Sequence, residues 1–310
     1  LIDGEWSDAS DGRVFDSVDP ATGQIWARFA EANEDDVDRA VNAATRAFND
    51  GPWATMSPTQ RGHCLRRLGD LVKENGEELG RTECIDTGKL YKETRWQSNY
   101  IAEFYYFFAG CADKVHGDTL PIDKPDMFVF TKREPLGVVA AVVPWNSQLF
   151  LSAIKIGPAL AAGNTVVLKA SEHAAAAMLE FGKLIDQAGI PPGVVNIVTG
   201  FGDPCGRALT SHPLISKIAF TGGPIAAQQV IHNSAKNNGV AASLVVPGAW
   251  FDVFFASRFI TRFVVCGKSG RAPPPPRPPP RRRRGDVRAG HVGVVPAPPL
   301  DQPLRRAGHT

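Results

Sequence analysis

Four short segments of this chain place chemically useful side chains where an apolar run ends. Val138–Val143 runs into Pro144-Trp145-Asn146. An Asn amide at the carboxyl end of a strand can donate to an oxygen that gains negative charge. The same amide can instead end the strand by bonding its own turn. Val166-Val167-Leu168 runs into Lys169-Ala170-Ser171-Glu172. A Glu there can accept both hydroxyls of a nucleotide ribose and would meet a 2′-phosphate with like charge. Taken alone, the pair reads first as a solvated Lys and a first-turn Glu favoured by the helix dipole. Val194–Thr199 runs into Gly200-Phe201-Gly202-Asp203-Pro204-Cys205-Gly206, one residue longer than the G-x-G-x-x-G spacing. A glycine-rich turn into a short helix satisfies the same residues. Ile218–Phe220 runs into Thr221-Gly222-Gly223-Pro224. Two glycines let a backbone approach a pyrophosphate, and Pro at the first helical position leaves free N–H groups for an anion. A plain strand-to-helix turn is the other reading of that segment.

These edges need a scaffold, and the pattern supplies one. Strands are expected at 137–143, 165–169, 194–199 and 216–221, and helices at 148–162, 173–188, 204–210 and 224–236. Strands that read as unbroken apolar runs are buried on both faces, as in a parallel sheet covered by helices. Strand-helix-strand units imply right-handed crossovers and a ligand crevice at the carboxyl ends of the strands. The fold class is therefore α/β, a doubly wound, Rossmann-like sheet. Ahead of it, residues 1–30 read as one or two hairpins. Val37, Ala40, Val41, Ala44 and Phe48 make 34–49 an amphipathic helix, with acids in its first turn. Further helices are expected at 57–78 and at the aromatic-rich 91–112, followed by a charged hairpin-like stretch at 118–134.

The chain has 310 residues, 43% of them hydrophobic, enough for a substantial core. Its net charge of +2 is unevenly spread: from Arg271 onward nine Arg face two Asp, so the preceding body is net acidic. The five cysteines (Cys64, Cys84, Cys111, Cys205, Cys266) are scattered with no C-x-x-C pair, which argues against a zinc site or a disulfide framework. No metal is expected. That usage suits a reducing compartment, and a cytoplasmic location is expected. No apolar stretch is long enough to span a membrane, and Leu1-Ile2-Asp3-Gly4 reads as a strand entering a turn rather than a signal peptide.

In order and spacing the motifs resemble the aldehyde dehydrogenase superfamily. The similarity is carried by Pro144-Trp145-Asn146, the run from Gly157 to Lys169, the run from Pro192 to Gly202, and Ile218–Gly223. Ile2-Asp3-Gly4-Glu5-Trp6 and Asp19-Pro20-Ala21-Thr22-Gly23 resemble the family's opening. The resemblance covers about residues 1–237. It implies oxidation of an aldehyde to a carboxylic acid with NAD, or NADP, through a cysteine thiolate and a Glu-activated water. Asn146 matches the oxyanion donor. Lys169, Ser171 and Glu172 match the adenosine-ribose contacts, with Glu172 leaning toward NAD. Val143, Pro144, Trp145, Gly202, Gly206, Phe220, Thr221, Gly222 and Gly223 match the surroundings of the cofactor. Ser147-Gln148 stands where Phe-Pro commonly follows the Asn.

The match then breaks. Where the family has Leu-Glu-Leu-Gly-Gly-Lys this chain has Ser243-Leu244-Val245-Val246-Pro247-Gly248, so the general base would fall near Leu244 or Val245, neither of which can take a proton. The nucleophile's Gly-Gln-x-Cys context would fall near Pro279, inside Pro273–Arg284, and Cys266 lacks that context. Residues 238–310 are rich in Arg, Pro, Gly and Ala. They read as a disordered tail, the composition of a GC-rich gene translated out of frame, in a chain left inactive and without the family's oligomerising part. The family members are homo-oligomers. The other reading is an interaction protein. Its proline run would dock an aromatic-lined groove and its Arg run would meet an acidic surface. No specific nucleic-acid recognition is expected, because no nucleic-acid fold accompanies the tail.

Overall fold

The computed structural model describes residues 1–236, 241–245 and 266–268, the last two segments as backbone strands. The proline and arginine runs lie outside the described residues, as do the expectations attached to them.

The chain opens with a hairpin, β1 (Val14–Val18) against β2 (Ile25–Ala30). Helix α1 (Glu34–Asn49) starts where the sequence places it, and its start is chemically determined. The Asn33 side chain accepts from the Asp35 and Asp36 N–H groups, while the Asp36 carboxylate accepts from Asn33 N–H, a reciprocal capping box. A four-residue helix α2 (Pro52–Thr55) follows.

The helix expected over 57–78 is two, α3 (Pro58–Glu74) and α4 (Gly76–Thr87). The break is at Asn75, whose side-chain amide and backbone N–H both bond Leu71 O and so close the first helix. Helix α5 (Tyr91–Cys111) then crosses α3 and α4. The crossing with α4 is close: a Cβ on Gly80 would stand 2.6 Å from Arg95 Cα. Strands β3 (Thr119–Leu120) and β4 (Met127–Phe130) form a small antiparallel sheet to which β10 (Cys266–Lys268) adds.

The central sheet is parallel, in the order β7-β6-β5-β8-β9. Its strands are β5 (Val138–Val142), β6 (Thr165–Lys169), β7 (Val195–Val198), β8 (Ile215–Thr221) and β9 (Ala241–Val245). Helices α6 (Gln148–Ala161), α7 (Ala176–Gln187), α8 (Arg207–Ser211) and α9 (Pro224–Ser234) connect them. β9 lies in the stretch that the sequence reading assigns to a structureless tail. Its backbone nonetheless continues the sheet, with Leu244 opposite Phe220 and Val245 opposite Thr221.

Alternation along each strand divides the interior in two. Val139, Ala141, Val166, Leu168, Ile197 and Ala219 join α3, α5, α6 and α7 in one core. Val138, Ala140, Val167, Val198, Ile218 and Phe220 join α1, α8 and α9 in the other. Successive side chains of a strand point to opposite faces, so both faces are dry, as the unbroken apolar runs require. Among the described residues no helix is long and apolar enough to cross a membrane.

Candidate functional site

From β5 the chain runs outward through β6 to β7, then returns to the other side of β5 with β8. The strand order therefore reverses between β5 and β8, and at such a reversal the two loops diverge and leave a crevice at the carboxyl edge. A cavity of about 610 Å³ lies there. Into its lining the structure brings Val143, Pro144 and Trp145 from the end of β5, and Lys169, Ser171 and Glu172 from β6. Gly202 and Gly206 join from the turn after β7, with Phe220, Thr221, Gly222 and Gly223 from β8. Asn146, next in the chain after Trp145, is exposed and lies outside this lining.

Lys169 is not a solvated lysine: it is only 4% exposed. Its ammonium donates to Ala170 O at 3.0 Å and pairs with Glu172 Oε2 at 3.2 Å. Burial pushes the Glu172 carboxyl upward, but the Lys169 ammonium, with a backbone N–H and His173 adding to it, holds the acid below its usual range. Glu172 is thus an anion kept ready at the cavity wall. The Asn146 amide makes no hydrogen bond to its own turn among the described residues, so its donors remain available.

That turn is held from behind. Trp145–Ser147 form a short 3₁₀ turn. Lys89, from the segment joining α4 to α5, donates through Nζ to Ser147 Oγ at 3.1 Å and to Gln97 Oε1 at 2.9 Å. Ser147 Oγ in turn donates to Asn146 O at 2.6 Å. Gln148, almost fully buried, accepts from Ser171 N–H at 3.3 Å and ties the β5 turn to the β6 turn. Ser147-Gln148, a tolerable departure from the Phe-Pro that commonly follows the Asn, carries bonds at both residues. Only their polarity at the start of an apolar helix could have signalled this.

Two glycines of the lining have open space where a Cβ would stand, Gly202 and Gly223. A side chain at either position would project freely, so their bareness leaves room for another molecule's atoms rather than relieving a packing clash. Gly223 also precedes Pro224, the first residue of α9, so the helix begins with N–H groups facing outward. Thr221 is gripped from below by Lys155 of α6, whose Nζ donates to Thr221 Oγ1 at 2.6 Å. Burial pushes the Lys155 ammonium down to about 7.

Sequence reading missed the outer wall. His173, Arg207, Thr210, Gln229, Val230 and Asn233 also line the cavity. Their signal is faint: Ala226, Gln229 or Val230, and Asn233 share one face of α9 at helical spacing, a pattern that an ordinary packed helix also shows. Thr210 and Asn233 join α8 to α9, Asn233 Nδ2 donating to Thr210 Oγ1 at 3.0 Å.

None of Cys64, Cys84, Cys111 and Cys205 lines the cavity, and burial pushes the Cys205 thiol up to about 11. Cys266 stands on β10 opposite Phe130, in the small antiparallel sheet rather than at the cavity edge. Leu244 and Val245 occupy the end of β9, in register with Phe220 and Thr221. The arrangement offers a carboxylate, glycine-lined turns and a helix N-terminus suited to a dinucleotide, with an amide donor next to it.

Comparison with known proteins agrees with this geometry. The model of the aldehyde dehydrogenase family matches residues 6–250. A (Z)-2-((N-methylformamido)methylene)-5-hydroxybutyrolactone dehydrogenase of Acinetobacter baylyi is 56% identical over 236 residues, 76% of this chain and 48% of that protein. The human mitochondrial aldehyde dehydrogenase is 44% identical over 224 residues, 72% of this chain and 43% of its own length. Among solved structures, an NAD+ complex of aldehyde dehydrogenase from Bacillus cereus superposes with a TM-score of 0.76 at 40% identity, covering 79% of this chain and 50% of that one. The chain thus spans about half the length of the relatives it matches.

Proposed function

The chain belongs to the aldehyde dehydrogenase family, an oxidoreductase family, and on that premise we propose that it is the dinucleotide-holding half of an NAD-dependent aldehyde dehydrogenase. The observation that carries the reading is the convergence of Glu172 and the Gly202, Gly206, Gly222 and Gly223 turns on one cavity at the β5/β8 reversal. The residues fit the group. Glu172, ionised beside Lys169, would accept the ribose hydroxyls and favour NAD over NADP. The bare positions at Gly202 and Gly223, with the start of α9, would receive the pyrophosphate. NAD, when bound, supplies a hydride acceptor. Asn146, steadied by the Lys89–Ser147 contacts, would donate to the oxygen of an aldehyde under attack.

On this reading the chain binds the dinucleotide but does not complete the oxidation. Without a nucleophile and a base, stabilising the oxyanion has no intermediate to act on. The β9 end that would carry the base bears Leu244 and Val245. The Arg- and Pro-rich stretch beyond the family match is read as the product of a shifted frame. Resequencing the encoding DNA tests that part: another frame should restore Leu-Glu-Leu-Gly-Gly and then Gly-Gln-x-Cys, and failure to find them would sink it. The binding part is tested by titrating NADH into the purified chain and following the nicotinamide fluorescence. A saturable rise is expected, with no NADH formed from NAD+ on addition of aldehyde. Aldehyde-dependent NADH production that vanishes in Cys266→Ser would overturn the reading.

A further inference from the structure

Arg207 enters neither the sequence motifs nor the reading above, yet it lines the cavity as the first residue of α8. Its Nε donates to Asp203 Oδ1 at 2.8 Å and its Nη2 to Glu34 Oε1 at 2.8 Å. Glu34 is the first residue of α1, so the guanidinium bridges two elements far apart in sequence. The side chain nevertheless stays 47% exposed.

This geometry determines what the arginine has left to offer. Two carboxylates compensate its charge and occupy N–H groups along its edge. An anion such as a 2′-phosphate would meet a cation already neutralised by both, with only the remaining N–H groups open to it. The two flat faces are not used up by edge bonding, and their orientation is fixed by the two ion pairs. A planar cation held in this way is a stacking surface, and a purine ring is the group that matches it. Ala226 and Val230 of α9 line the same cavity and offer small and apolar surface, while the Asn233–Thr210 bond ties α9 to α8. This part of the lining therefore sets a planar cation beside small and apolar side chains.

We propose that Arg207 is the platform on which the adenine ring of a bound nucleotide stacks, held edge-on by Asp203 and Glu34. The proposal rests on the dinucleotide reading above, and it assigns Arg207 to the adenine rather than to the ribose 2′ position.

Calorimetric titration of the full 310-residue chain tests it, with NAD+, NADP+, AMP and nicotinamide mononucleotide as probes and thermal melts as a fold check. Arg207→Ala is expected to weaken NAD+, NADP+ and AMP by a common factor of about tenfold, and to leave nicotinamide mononucleotide unchanged. Arg207→Lys keeps a cation for Asp203 and Glu34 but has no plane. It is expected to retain the melting temperature and still bind AMP weakly, which keeps the test decisive should the alanine variant fold poorly. Full AMP affinity in either folded variant overturns the proposal, as does a loss confined to NADP+, which would make Arg207 a phosphate reader. A wild-type chain that binds none of the four probes removes the dinucleotide reading itself, and the platform falls with it.

Discussion

Glu83 carries a buried carboxyl, and neither of its oxygens has a hydrogen-bond partner. Burial, with Asp86 adding to it, pushes this acid up to about 7, while the Lys89 ammonium pulls the other way. In the unfolded chain the same acid titrates near the ordinary 4.5. The stabilising form is therefore the protonated one: its contribution is complete below 4.5 and is lost as pH rises through about 7. The loss is on the order of 3 kcal/mol. Glu83→Gln should flatten the fall in melting temperature across that window, and an unchanged slope would refute the assignment. Lys155 has the opposite sign. Buried neutral above about 7, it adds stability as pH climbs toward its ordinary 10.5. A different kind of group is Asn164, fully buried, whose Oδ1 accepts from the Leu136 and Gly137 N–H groups at 2.7 and 3.1 Å. Asn164→Ala leaves a buried and a half-buried donor unsatisfied and is expected to destabilise by about 2–4 kcal/mol in chemical denaturation.

At the scale of elements, the α4–α5 crossing depends on one missing side chain. Gly80→Ala places a Cβ against Arg95 backbone and should destabilise by about 1–3 kcal/mol, read as a shift in denaturation midpoint. Such a crossing is invisible in the sequence, where Gly80 looks like any helix glycine. The central strands were legible because burial on both faces forces an unbroken apolar run, and α1 because Val37, Ala40, Val41 and Ala44 recur at helical spacing behind a first turn of acids. The start of α7 was not. The sequence suggests 173, but the helix begins at Ala176, whose N–H is taken by Asp86 Oδ2 from α4, ninety residues earlier. The inner turns of the site were legible because each interrupts an apolar strand. Arg207, Gln229 and Asn233 were not, because facing a cavity leaves no mark on a helix that facing solvent would not also leave.

Taken whole, the molecule places its cavity mainly over one of its two interiors: Phe220 and Val230 of the lining belong to the core of α1, α8 and α9, and Val143 belongs to the other. Saturating NAD+ is expected to raise the melting temperature in proportion to the logarithm of its concentration, and Glu172→Ala to blunt the effect; scanning calorimetry at graded NAD+ reads both. The same partition makes the sheet an insulator between mutations. Val138 and Val139 are consecutive in the chain, yet Val138 sits beside Ile215 in one core and Val139 beside Val166 in the other. In double-mutant cycles Val138→Ala should be non-additive with Ile215→Ala, and Val139→Ala with Val166→Ala, whereas pairs drawn across the sheet should come closer to a simple sum. Sequence drift on one face can then accumulate without being felt on the other, so the nucleotide-facing half and the helical half can tolerate change on separate accounts.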